Sequence, residues 1–215
     1  MPHYFLVHDA TRFHSVICPA LAASWRQQNF EPCGPLRAAL AADLKRFVER
    51  YHIGEEVPVL SRIDPGWPFD RYVWRALVGE ALLYGAAEVP EFQTTADTLC
   101  CVLAPQNYRA GPAPRERFTA IEQALWGSRD LVFGGGWFRP DHAGWNDRSD
   151  VAQLGSYLAS IQPAQWTVAD LAELRNVEVS DRAEELESAR EWFEPLREMY
   201  QRAAASDQIV VCELL

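Results

Sequence analysis

The chain has 215 residues, of which 48% are hydrophobic, with eight Trp, ten Phe and seven Tyr, enough to bury a large core without disulfide or metal staples, which excludes a disordered chain. Its formal net charge is −10, and the basic residues, nearly all Arg, are scattered among acids, so nothing offers a phosphate backbone a cationic face and nucleic acid is not an expected partner. No apolar run approaches membrane-spanning length, and the N-terminus lacks the basic flank and long apolar stretch of a signal peptide, so no membrane contact is expected and the cytoplasm is the default location.

Tyr4–His8 is a short apolar run of strand formers and reads as a first strand ending at Asp9. From Phe13 the apolar positions Val16, Ile17, Leu21 and Trp25 recur at helical spacing, although Pro19 must kink or restart that helix. Leu36, Leu40, Leu44, Phe47, Val48 and Tyr51 form a second helical stripe, and Pro35 suits its first turn. Val57–Leu60 reads as a brief edge strand before a turn at Asp64-Pro65-Gly66, and Pro68 then opens a helix carrying Phe69, Tyr72, Val73, Leu77, Leu83 and Tyr84.

Thr98–Ala104 is continuously apolar and closed by Pro105, which predicts a central strand covered on both faces. A helix using Phe118, Ile121, Leu125 and Trp126 and a strand at Leu131–Phe133 follow, and that order predicts a parallel pair joined by a right-handed crossover. Helical patterns return at Val151–Ile161, at Val168–Leu174 with Thr167 and Asp170 in reciprocal capping positions, and along Leu186, Phe193, Leu196 and Tyr200 straight through Pro195. Ile209–Cys212 closes the chain as a buried strand. The sum is α+β: a mixed four- to five-stranded sheet packed with about six helices, and, with no linker in sight, a single domain over residues 1–215.

The richest segment is Gly134–Arg148, which gathers three consecutive glycines, Trp137, Arg139, Asp141, His142, Trp145 and Asp147 after a predicted strand. Glycines let a backbone approach a ligand, tryptophans offer flat faces, and Arg139 can fork onto a carboxylate or phosphate; the plainer alternative is a wide turn whose tryptophans plug the core while Asp147 caps the next helix. The glycines lack the spacing of a phosphate loop or a dinucleotide fingerprint. Exposed Trp67, beside Gly66, adds to this aromatic surface.

Chemistry has other candidates. His8 and Asp9, with Thr11, Arg12 and His14, close the first strand, and His8, Asp9 and His142 together would make a proton-transfer or metal site if they converged. Glu80, between Leu77 and Tyr84 on an apolar stripe, needs a partner or a raised pKa, the mark of a general base. Cys100 and Cys101, read as strand neighbours, point to opposite faces and fit core thiols better than nucleophiles. The five cysteines, an odd number without zinc spacing, fit reduced thiols in a reducing compartment.

The leading expectation is a cytoplasmic binding or accessory protein that contacts a ligand or protein partner through Gly134–Arg148, using Trp137, Arg139, Asp141, Trp145 and Trp67. The alternative is a small hydrolase-like enzyme built on His8, Asp9, His142 and Glu80, with or without a metal. A homo-oligomer that buries the aromatic surface is a third reading. No motif specifies a cofactor, so cofactor, ligand and partner are unknown from sequence.

Overall fold

The computed structural model describes residues 2–7, 9–36, 66–90, 92, 95–138, 143–175 and 177–214. The predicted helix beyond Leu36 and the predicted strand Val57–Leu60 lie outside them. In chain order the described elements are β1 (Pro2–Val7), α1 (Ala10–Arg12), α2 (Cys18–Gln27), α3 (Arg71–Gly85), β2 (Ala86–Glu88), α4 (Ala96–Leu103), α5 (Pro105–Ala110), α6 (Ala120–Trp126), β3 (Arg129–Asp130), β4 (Val132–Phe133), β5 (Gly136–Trp137), β6 (Ala143–Asn146), α7 (Arg148–Ser160), α8 (Arg182–Ala205) and β7 (Ile209–Leu214). The fold is α+β, and the chain divides into two compact units: Met1–Leu6, Glu88–Asp130 and Asp141–Leu215 form the first, Val7–Ala87 and Leu131–Pro140 the second.

In the first unit the sheet runs β1-β7-β6-β3. In the first unit β6 lies antiparallel to both neighbours, with Trp145 opposite Val211 on one side and Arg129 on the other. Ile209–Cys212 is buried throughout, which suits its run of β-branched Ile209, Val210 and Val211 followed by a small thiol. The long helix α8 runs continuously through Pro195 and buries Leu186, Phe193, Leu196, Met199 and Tyr200. Its outer face carries the ion pairs Arg190–Glu187, at 2.5 Å, and Arg197–Glu194 at helical spacing. The Thr167–Asp170 capping box forms as predicted, on a 3-10 turn at Val168–Leu171.

Thr98–Leu103 is helical. The residues lie in α4, which begins at Ala96 with Asp97 in its first turn and buries Thr98, Leu99, Cys100 and Cys101. An apolar run of that length carries no period of its own, so packing on the core decides between strand and helix. The predicted crossover falls with it: β4 pairs antiparallel with β5, Val132 opposite Trp137 and Phe133 opposite Gly136.

A buried polar cluster ties the first unit together. Asn146 Nδ2 donates to Gln123 O and to Tyr200 Oη, each at 2.9 Å, while Tyr200 Oη donates to Ala124 O at 2.7 Å. Tyr4 Oη is as deeply buried yet has no hydrogen-bond partner among the described residues. The two tyrosines therefore answer the same deletion in opposite directions. Tyr200→Phe strands Asn146 and Ala124 and is expected to lower stability by about 1–3 kcal/mol, whereas Tyr4→Phe removes an unsatisfied hydroxyl and is expected to leave stability unchanged or raise it by up to about 1 kcal/mol. Urea unfolding of both variants checks the contrast.

In the second unit Trp74 is fully buried and donates Nε1–H to Leu21 O at 3.2 Å. Pro19 is accommodated rather than suffered. The chain widens into a π turn over Phe13–Ile17, so Cys18 N–H reaches Phe13 O before α2 continues with proline in its first turn. Gly134 and Gly135, at φ +61° and +93°, make the tight β4–β5 turn, a conformation that suits glycine. Gly136 is needed for another reason: a Cβ there would overlap the Trp25 indole.

Candidate functional site

In the second unit, α2 ends on Gln28, whose left-handed backbone closes the helix through N–H bonds to Ser24 O and Trp25 O. The N-cap of α3 is Asp70, whose Oδ1 accepts from Tyr72 N–H and Val73 N–H, both at 2.9 Å. Trp25, Gln28, Phe69, Asp70, Arg71 and Tyr72 line a cleft of about 480 Å³. Trp25 and Phe69 meet nearly at right angles, 79° with centroids 5.8 Å apart, so they form a corner rather than a stack. Phe30 stacks on Phe69 at 5.4 Å and Trp74 packs on Trp25 at 4.7 Å, so both walls are braced from behind.

Among the described residues the exposed large aromatic side chains are Trp67, Tyr72 and Trp137, at 45%, 74% and 39%, and all belong to the second unit. Trp137 stands beside Val132, 41% exposed, across the β4–β5 pair. An exposed apolar surface gains nothing for the isolated fold, which is why such patches mark binding surfaces.

The sequence-predicted residues distribute unevenly. Trp67 is exposed as anticipated, and Trp137 is exposed rather than plugged into the core as the wide-turn alternative had it. Trp145 lies in β6 of the first unit, half-buried under the Arg129 guanidinium at 5.2 Å. Its neighbourhood serves the start of α7: Asp147 caps that helix, Asp150 answers in the reciprocal position, and Arg129 pairs with both, at 2.8 Å to Asp147. Asp9 is exposed and accepts Arg12 N–H at 2.8 Å, the geometry of a helix cap. Glu80 is half-buried on α3. His8, Arg139, Asp141 and His142 lie outside the described residues. Among the described residues no three His, Cys, Asp or Glu side chains are grouped to hold a metal ion.

The cysteines are all unbridged thiols. Burial pushes Cys33 up to about 11, Cys18 and Cys212 up to about 12, and Cys100 higher still. Such thiols are core side chains rather than nucleophiles.

Sequence reasoning missed the cleft. Its walls come from positions separated by more than forty residues, Trp25 and Phe69–Tyr72. The one available signal was the dense aromatic content around Asp70.

No family model and no curated protein matches the chain. Among solved structures, the chain is similar to that of a protein of unknown function, YfbM, from Escherichia coli, at 15% identity and a TM-score of 0.45, over 62% of this chain and 84% of that one. No helix among the described residues is long and apolar enough to cross a membrane.

Proposed function

We propose that this chain is a cytoplasmic binding or accessory protein that captures its ligand or partner on the aromatic surface of the second unit, at the cleft between Trp25 and Tyr72. The observation that carries this reading is the segregation of exposed aromatics: Trp67, Tyr72 and Trp137 all belong to the unit that holds the cleft, and Tyr72 lines it together with Trp25 and Phe69. Large flat side chains give much contact area at little entropic cost, and a cleft of this size matches small ligands. The −10 charge argues against anionic macromolecules as partners.

Saturation-transfer NMR with a mixture of small aromatic and apolar fragments tests the reading. Wild-type protein is expected to transfer saturation to a subset of fragments, and Tyr72→Ala to reduce that transfer several-fold with no loss of melting temperature, because Tyr72 is three-quarters exposed. Equal transfer to both proteins, or none to either, would remove the cleft as a binding site.

A further inference from the structure

Building on the binding reading above, we infer that the cleft takes a quaternary or otherwise alkylated ammonium cation. Three kinds of aromatic ring, from Trp25, Phe69 and Tyr72, share its lining with one carboxylate, that of Asp70. Aromatic faces carry negative charge density, so a cation too large and too weakly hydrated to favour water is held among them; alkylated ammonium groups meet that description.

The perpendicular setting of Trp25 and Phe69 presents two walls to a roughly spherical group, where stacked rings would suit a flat one. The backbone N–H groups of Tyr72 and Val73 are spent on Asp70 Oδ1, and Asp70 makes no other hydrogen bond among the described residues. Its second oxygen is therefore unspent and adds negative charge at the cleft. Those N–H donors, already taken, offer an anion little. Arg71 also lines the cleft and opposes a cation, but it is exposed, so its long side chain can extend into water. The chain's net charge of −10 adds a field of the required sign.

The test is a titration of the whole chain with tetramethylammonium chloride, followed by tryptophan fluorescence and by saturation-transfer NMR. Sodium chloride controls for ionic strength, and tert-butanol is the neutral probe of similar shape. Saturable binding of tetramethylammonium, with none of tert-butanol at equal concentration, is the expected result. Tyr72→Ala should weaken it about fivefold, and Asp70→Asn, which keeps a capping side chain, should weaken it about threefold. Arg71→Ala should tighten it. Equal binding of the neutral probe, or an unchanged affinity in Tyr72→Ala, overturns the cation assignment. If aromatic fragments bind and tetramethylammonium does not, this inference fails while the cleft remains a binding site; if neither binds, both fail.

Discussion

Arg115→Ala is expected to cost about 3 kcal/mol, lowering the melting temperature by roughly 6–12 °C. Arg115 stands just before α6, only 14% exposed at the side chain, and holds four groups at once. Its Nε bonds Asp130, Nη1 bonds Trp126 O and, at 3.0 Å, Gly127 O, and Nη2 bonds Ala143 O at 2.9 Å. Truncation strands three backbone carbonyls and a carboxylate together, and unsatisfied groups cost more than a formed bond returns. Gly144→Ala attacks the same junction from the other side. A Cβ there would press on Trp126 O and the Arg115 guanidinium and come within 2.8 Å of Arg129 O, and two of those three are backbone that cannot yield. Thermal unfolding of both variants measures the effect; a shift below about 2 °C in each would mean that Arg115 carries no weight in the first unit.

Stability should also collapse in alkali. A free thiol ionises near pH 8.5–9, whereas burial holds Cys33 at about 11 and Cys212 at about 12. The contribution is complete below the unfolded value and is lost as pH climbs from there through the folded values, because the unfolded chain releases protons the folded chain retains. Each buried thiol therefore removes up to about 1.4 kcal/mol per pH unit in that window. Denaturant midpoints should hold to about pH 8 and fall steeply by pH 10, and Cys212→Ala should flatten the slope by one thiol's share. A midpoint constant through pH 10 would show that these thiols ionise freely in the folded state.

The fold class could be read because its strongest signals were local. Tyr4–Val7 and Ile209–Cys212 are strands, Asp147 and Thr167 cap where capping chemistry predicts, and the stripe through Pro195 is one helix. Thr98–Ala104 failed because a run that is apolar after Thr98 has no period, and only the core around Leu99 and Cys101 selects helix. The richest segment proved partly architectural: two of its glycines turn a hairpin, the third clears Trp25, and Asp147 caps α7. The cleft was hidden for a different reason. Its corner exists only once α2 and the start of α3 are packed together, an arrangement no spacing along the chain encodes.

The most direct test of a ligand-binding cleft in the second unit is the two-dimensional NMR spectrum of the tryptophan indole N–H groups during titration with a bound fragment. Trp25 lines the cleft, whereas Trp145 and Trp166 belong to the first unit. The Trp25 resonance should move progressively to saturation while those of Trp145 and Trp166 stay fixed. Movement confined to Trp145 or Trp166, with Trp25 still, would place binding elsewhere and contradict the proposed function.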